Sequence, residues 1–218
     1  MPRHLVEGVD TEQVYQPFRA TVTKRGADGV NLSSVSAAQV QAMQLEQAEV
    51  CPGQRVLEIG SGGVNAAYLA ELVAGSGLVV SLDIDPEVSA GARRFLARTG
   101  YEQVVVLTGD AALGVPESAP FDLILVTVET TDVPAAWWDQ LTGDGRIVAP
   151  VRWRGQSRTV ALRRQNQDLL VADDLSPCGF VPMQGIDENR ERVVVLHDVP
   201  NQRVVLRLDD DSSVDAPA

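Results

Sequence analysis

Short runs of apolar residues alternate with helix-forming segments between residues 56 and 151 of this 218-residue chain. The runs have the length of strands buried on both faces, and they cover residues 56–59, 78–83, 104–107, 121–128 and 146–151. Neighbouring parallel strands need long crossover connections, which are usually helices. The alternation therefore predicts a mostly parallel sheet with helices on both faces.

The segments between the runs carry helix signals. Residues 64–73 contain no Gly or Pro, and Asp85 followed by Pro86 is typical of a helix start. Residues 134–141 predict another helix. One more is predicted ahead of the first strand, with Ser36 as a candidate N-cap residue.

The pattern changes after residue 151. Residues 157–164 and 168–174 are strand-like runs joined by Gln-Asn-Gln, which predicts a hairpin, and residues 193–196 and 204–206 predict further strands. The fold class is therefore α/β, with a Rossmann-like, mostly parallel sheet closed by antiparallel strands.

The first strand leads directly into a glycine turn. Residues 56–63 are Val-Leu-Glu-Ile-Gly-Ser-Gly-Gly, so Gly60, Ser61 and Gly62 join a buried strand to the next helix. This arrangement is typical of the nucleotide-binding corner of a doubly wound sheet. A nicotinamide-binding corner would carry a glycine at position 65, where this chain has Asn65.

Acidic residues at successive strand ends narrow the choice of cofactor. Asp83 closes the second strand, where it can bind ribose hydroxyls, and Asp110 closes the third, where it can bind an adenine amino group. Glu58 suits an ammonium group, and the glycine turn has no Lys or Arg for a pyrophosphate. S-adenosylmethionine, which leaves as S-adenosylhomocysteine, fits these features. The predicted cofactor-binding site is completed by Asn65, Ile84, Gly109, Ala111 and Thr127.

The net charge and the cysteine content of the chain argue against several classes of partner and of structure. The formal net charge of −12 makes duplex nucleic acid and anionic membranes poor partners. Two cysteines cannot form a disulfide framework, and the sequence has no apolar run of about 18 residues. We expect a cytoplasmic protein without a metal.

Several segments together resemble the protein-L-isoaspartate O-methyltransferase family over most of residues 1–200. The segments that carry the resemblance are residues 56–62, 109–110, 119–127, 133–134, 139–141 and 145–151. The resemblance implies a class I methyltransferase fold and methylation of an aspartyl side-chain or isoaspartyl α-carboxylate in a peptide or protein. It also implies that Ser36 and Ser34 are catalytic and that Val35 contacts the substrate.

The chain also departs from that family. The family usually has Thr at the position of Ser34 and Pro at that of Ala38, and its glycine loop is one residue longer. These differences, with residues 179–185, resemble a branch found with lanthipeptide and other ribosomal-peptide pathways. That branch methylates an aspartate of a precursor peptide, and the ester then cyclises to a succinimide.

We consider three hypotheses for the function, and the two resemblances imply the first two. The leading hypothesis is methylation of an aspartyl side chain in a precursor peptide. Protein repair by methylation of isoaspartate is the alternative, and a catalytically silent S-adenosylmethionine-binding recognition subunit is a third possibility of another class. We expect residues 1–50 to be a substrate-side segment, 51–208 the methyltransferase core and 209–218 an acidic flexible tail.

A carboxylate acceptor agrees with the residues at hand. A carboxylate with a pKa of about 4 is already ionised at neutral pH, so methyl transfer to it needs no general base. Neutral donors such as Ser36 can orient it, although capping a helix explains Ser36 equally well by position alone.

Other candidates lie later in the chain. Arg152, Trp153 and Arg154 follow the fifth strand and could hold an acidic peptide, or could form a solvated strand edge. Residues 180–185 could fold over the cofactor, with Met183 and Gln184 near the substrate. Three further side chains have structural rather than functional interpretations: helix packing for Trp137 and Trp138, and a strand-edge position for Asp122.

Overall fold

The computed structural model describes residues 16–208, apart from residues 28, 61, 189–191, 200 and 201. The predicted acidic tail, residues 209–218, and the first 15 residues of the predicted substrate-side segment lie outside the described residues. The described residues form eleven strands: β1 (Thr21–Arg25), β2 (Asn31–Val35), β3 (Arg55–Ile59), β4 (Leu78–Asp83), β5 (Val105–Thr108), β6 (Phe121–Val126), β7 (Leu141–Trp153), β8 (Gln156–Asn166), β9 (Leu169–Pro177), β10 (Arg192–Val199) and β11 (Gln202–Leu208).

One seven-stranded sheet forms the centre, in the order β5-β4-β3-β6-β7-β8-β9. Strands β3 to β7 pair in parallel, and β8 pairs antiparallel with both β7 and β9. The predicted fold class, a mostly parallel sheet closed by antiparallel strands, is therefore confirmed. The β8–β9 hairpin supplies the closing strands, whereas β10 and β11 pair with each other in a separate two-stranded sheet.

Four α-helices accompany the strands in the described part of the chain: α1 (Ala38–Ala48), α2 (Val64–Val73), α3 (Pro86–Thr99) and α4 (Ala135–Asp139). Because successive strand residues point to opposite faces, β6 buries Leu123 and Leu125 on one side and Ile124 and Val126 on the other. Residues of α1, α2 and α3 pack on the first face, and Trp137 of α4 packs on the second. No helix in the described part of the chain is long and apolar enough to span a membrane.

Some boundaries differ from the sequence prediction. The β1–β2 hairpin was not predicted, because its strands are short and mostly polar, and it forms its own sheet. Helix α4 is shorter than predicted because β7 already begins at Leu141. Asp122 accepts a hydrogen bond from the backbone N–H of Arg55 at 2.9 Å, at the amino end of β3. This placement supports its strand-edge interpretation.

Candidate cofactor and acceptor site

The site lies at the carboxyl ends of the central parallel strands. Strand β3 pairs with β4 on one side and with β6 on the other, so the chain reverses its winding direction at β3. Open α/β sheets bind ligands outside the carboxyl ends of the strands at such a switch point. Glu58, Asp83 and Asp110 all lie at this edge, as the sequence predicts.

The glycine turn has two positions that require glycine. Gly60 has a φ of +91°, and a Cβ built there would lie 2.5 Å from Oγ1 of Thr127. That hydroxyl donates to the carbonyl oxygen of Gly60 at 2.7 Å, which joins the turn to the residue after β6. Gly63 has a φ of +82° and its Cβ would contact Phe95, whereas a Cβ at Gly62 would meet nothing within 4 Å. Ser61 lies outside the described residues.

Next to the turn, buried polar atoms lack partners. Glu58 is fully buried; the hydroxyl of Ser81 donates to one of its carboxylate oxygens, and the other oxygen has no hydrogen-bond partner within the described chain. The side-chain oxygen and nitrogen of Asn65 are likewise unpartnered, although this residue is only 7% exposed. Burial raises the pKa of Glu58 to about 7, and the hydroxyl of Ser81 and the nearby amide of Asn65 oppose that rise.

These unpartnered atoms fit an amino-acid ligand. The open oxygen of Glu58 can accept from an ammonium group, and the amide of Asn65 can donate to a carboxylate. Buried polar groups without partners are costly, so a ligand that supplies both groups relieves that cost. The predicted cofactor carries both groups at its methionine end.

The two aspartates differ in their surroundings. Asp83 accepts from the backbone N–H of Asp85 at 2.8 Å, beside the start of α3. Asp110 uses one oxygen to accept from the backbone N–H of Ala112 at 2.9 Å and the other to accept from that of Ile186 at 2.8 Å. A carboxylate has about four acceptor positions, so each can still bind a ligand group. Their ribose and adenine roles stay predictions, as do those of Ile84, Gly109 and Ala111.

The N-terminal segment forms another part of the same small cavity. Ser34 and Val35 end β2, and they line the cavity with Ser36, Glu58 and Asn65. Helix α1 begins at Ala38, and its N-cap residue is Ala37, which makes no side-chain capping bond. The interpretation of Ser36 as the helix cap is therefore wrong. Ser36 lines the cavity together with Glu58 and Asn65, and its proposed role in catalysis stays a prediction.

Residues 179–186, the cover loop, cross this edge of the sheet. The backbone N–H of Met183 donates to the carbonyl of Glu129 at 2.7 Å, and that of Ile186 bonds to Asp110. The side chain of Gln184 donates to the carbonyl of Leu32 in β2 at 3.3 Å. The loop thus touches segments near the ends of β6 and β5 and the N-terminal hairpin. Met183 itself is buried in the core, so its side chain lies inside the protein.

The three residues predicted as a substrate patch are not equivalent. Arg152 is 8% exposed, and its guanidinium pairs with the carboxylate of Glu129 at 3.1 Å. Ser157 also donates to Glu129. Arg152 is therefore neither a solvated edge residue nor part of an open patch. Trp153 is 68% exposed, and the guanidinium carbon of Arg154 lies 4.7 Å from the centre of its ring.

Sequence reasoning missed two residues that hold the N-terminal segment in place. Lys24 of β1 pairs with Asp85 and, at 2.8 Å, with Glu87 at the start of α3. Gln44 of α1 donates its side-chain N–H to the carbonyl of Val126 at 2.9 Å. Neither contact has a local sequence signal, because the partners are more than 60 residues apart.

Comparison with known proteins points to one family. The profile of the protein-L-isoaspartate(D-aspartate) O-methyltransferase family matches residues 7–188. The protein-L-isoaspartate O-methyltransferase of Hyperthermus butylicus is 37% identical over 161 residues, which cover 70% of this chain and 67% of the relative. That of Thermotoga maritima is 34% identical over 186 residues, which cover 82% of this chain but 58% of the relative. The match thus leaves a large part of the second relative uncovered.

Solved structures agree with the sequence relatives. A protein-L-isoaspartate O-methyltransferase superposes with a TM-score of 0.77 at 27% identity, over 90% of this chain and 66% of that one. A putative member from Plasmodium falciparum, solved in complex with S-adenosyl-L-homocysteine, has a TM-score of 0.64 at 18% identity, over 70% of this chain and 77% of that one. The second likeness supports the shared fold alone.

Proposed function

This chain belongs to the protein-L-isoaspartate(D-aspartate) O-methyltransferase family, and we propose that it methylates a carboxylate of an aspartyl or isoaspartyl residue in a protein or peptide. The cofactor of this family is S-adenosylmethionine. The observation that carries the proposal is the cavity in which Ser36 lies together with the unpartnered polar atoms of Glu58 and Asn65.

The bound cofactor supplies a methyl group on a positively charged sulfur. The acceptor oxygen forms a bond to that methyl carbon while the carbon–sulfur bond breaks, and no proton is transferred. The chain therefore has to align the two reactants and exclude water. Glu58 and Asn65 are assigned to the amino-acid end of the cofactor, and Asp83 and Asp110 to its ribose and adenine.

The acceptor side needs neutral hydrogen-bond donors. A lysine or arginine against the attacking oxygen would stabilise its negative charge before attack and weaken it as a nucleophile, whereas a hydroxyl orients it at a smaller cost. Ser36 and Ser34 provide hydroxyls at the cavity, and we assign Ser36 the orienting role.

Isoaspartate is the acceptor that the relatives favour. Both named relatives and the best-covering structure above are isoaspartate O-methyltransferases by name. Methylation of aspartate in a dedicated precursor peptide is the second candidate, favoured by the short glycine loop at residues 60–63 and by Ser34 and Ala38.

The test incubates the purified chain and S-adenosylmethionine with two peptides that differ in one residue, isoaspartate or aspartate. Mass spectrometry should detect one added methyl group, followed by loss of methanol as a succinimide forms. Preference for the isoaspartyl peptide across unrelated sequences supports a role in protein repair. Methylation of aspartate in one peptide only supports modification of a dedicated precursor peptide. A chain that binds S-adenosylhomocysteine but methylates neither would be the silent recognition subunit.

Ser36→Ala tests the residue assignment. We expect kcat to fall about 100-fold, the scale of losing an orienting donor in the transition state. Thermal stability should be unchanged, because Ser36 does not cap α1. Ser33→Ala is the matched control, since Ser33 pairs with Thr23 within the hairpin. Unchanged kcat in Ser36→Ala removes the proposed role of this hydroxyl.

A further inference from the structure

Helix α1 buries three glutamines at three-residue intervals. Gln41, Gln44 and Gln47 are exposed by 8%, 1% and 4%. A buried carboxamide needs hydrogen-bond partners, because removing it from water without them costs free energy. The partners of the three glutamines therefore indicate what each position does.

Two of the glutamines bind parts of the protein itself. Gln44 donates to the backbone carbonyl of Val126 at the end of β6, and Gln47 accepts from the hydroxyl of Thr159 in β8 at 2.9 Å. The carbonyl of Gln47 also accepts from Arg146 near the start of β7. These contacts hold α1 against the sheet, with its first turn toward the carboxyl ends of the strands.

Gln44 lines the cofactor and acceptor cavity, but its side-chain N–H is already bonded to the carbonyl of Val126. Gln41, one turn earlier, lines the same cavity. It lies there with Ser34 and Ser36, which come from the same N-terminal segment. All three side chains are neutral and can donate hydrogen bonds. The cavity residues from β3 and α2 include the carboxylate of Glu58 and the unpartnered amide of Asn65.

This division of charge decides where an anionic acceptor can lie. The carboxylate of Glu58 repels an acceptor carboxylate and attracts the cofactor's ammonium group. The N-terminal part of the cavity offers donors without a negative charge. A carboxylate is therefore stabilised beside Ser34, Ser36 and Gln41.

We propose that the side-chain N–H of Gln41 donates to the acceptor carboxylate, beside the hydroxyl of Ser36. This binding role rests on the proposed function. The amide fixes one carboxylate oxygen, which leaves the other directed at the methyl group. Loss of the Gln41 hydrogen bond should therefore weaken binding and alignment of the peptide and leave cofactor binding unchanged.

Gln41→Met keeps the length of the side chain and removes its hydrogen bonds. Gln47→Met is the matched control, because it makes the same change two turns along the same helix, where the partner is Thr159. The measurements are kcat and KM for the methylated peptide, Kd for S-adenosylhomocysteine, and the melting temperature.

We expect Gln41→Met to lower kcat/KM about 10- to 100-fold, the range for one hydrogen bond to a charged group, with Kd for S-adenosylhomocysteine within twofold of wild type. Gln41→Glu, which places a negative charge against the acceptor, should lose more activity than Gln41→Met. Gln47→Met should lower the melting temperature and leave kcat/KM within twofold.

The outcomes separate this inference from the proposed function. A wild-type chain that methylates no carboxylate refutes the proposed function. An active wild type with unchanged kcat/KM in Gln41→Met and Gln41→Glu refutes the role of Gln41. A rise in Kd for S-adenosylhomocysteine as large as the loss of kcat/KM would assign Gln41 to the cofactor and also overturn the inference.

Discussion

The cofactor corner and the acceptor wall are built in different ways. The corner, residues 56–65, is one continuous stretch in which a buried strand, a glycine turn and a helix start follow each other. The acceptor wall, formed by Ser34, Ser36 and Gln41, depends on contacts with distant segments of the chain. The corner is held by backbone conformation and core burial, whereas the wall is held by polar bonds to distant segments together with the packing of α1 on the sheet.

This difference predicts different responses to change. The corner is part of the hydrophobic core, so damage there should reduce both folding stability and cofactor binding. The β1–β2 hairpin, which carries Ser34, is attached by an exposed ion pair and by single hydrogen bonds, which contribute little to global stability. Changes there should alter ligand binding and turnover while the protein stays folded.

The largest effect is expected at Gly60. Gly60→Ala forces a positive φ on a residue with a Cβ and drives that atom against Thr127. We expect a loss of about 3 kcal/mol in the free energy of unfolding, together with loss of S-adenosylhomocysteine binding. Chemical denaturation and calorimetric titration measure the two effects.

Gly62→Ala is the control for Gly60, because a Cβ there meets no atom within 4 Å. It should fold with near-wild-type stability. If both substitutions lowered the free energy of unfolding equally, the turn would be sensitive to any added side chain. That result would contradict a specific requirement for glycine at position 60.

Glu58 should make stability depend on pH. Burial raises its pKa from 4.5 to about 7 in the folded protein, so the folded state binds a proton that the unfolded state has released. Stability contributed by this group is complete below about pH 4.5, falls as pH rises and is lost above about pH 7. The shift corresponds to roughly 3 kcal/mol.

The measurement compares denaturation of wild type and Glu58→Gln between pH 4 and pH 8, which cancels the titration of the other carboxylates. We expect wild-type stability to fall relative to the variant across this range. Binding of S-adenosylhomocysteine to wild type should strengthen as pH rises through about 7, since the charged carboxylate attracts the ammonium group. A pH-independent difference between the two proteins would contradict the buried titration.

The smallest effect is expected at Lys24, which attaches the hairpin to the start of α3. Lys24→Ala should speed dissociation of S-adenosylhomocysteine several-fold, with little change in melting temperature, because exposed ion pairs stabilise folding only weakly. The effect should shrink as salt is added. Stopped-flow displacement at low and high salt measures it.

Lys24→Arg keeps the charge and should retain most of the wild-type behaviour. Asp85 and Glu87 hold the pKa of Lys24 above its usual value, so the contrast between Lys24→Ala and wild type should be constant from pH 6 to 9. A salt-independent change in dissociation would show that Lys24 acts through packing and not through its charge.

The parallel sheet and the acids at its strand ends were predictable because their signals are local. A continuous apolar run predicts a buried strand wherever the run lies, and Glu58 and Asp83 stand at the ends of such runs. Ser36 could not be decided in this way, since a serine before a helix has the same local pattern whether or not it caps the helix. Its neighbour Ala37 takes the cap position.

The burial of Arg152 and Gln41 could not be predicted from local sequence patterns. Both are polar, and polarity alone places a residue at the surface. Arg152 is buried because Glu129 neutralises it. Gln41 is buried because the two glutamines that follow it hold α1 to the end of β6 and to β8. These partners come from distant parts of the chain.

By itself, the sequence determined the α/β fold, the glycine corner and the acids that suit S-adenosylmethionine, because each depends on residues that are neighbours along the chain. Only the tertiary structure decided that Ser36 and Gln41 share a cavity with Glu58 and Asn65. It also decided that the cover loop lies across Asp110. Such contacts join segments far apart in sequence, and packing selects them after the strands and helices have formed.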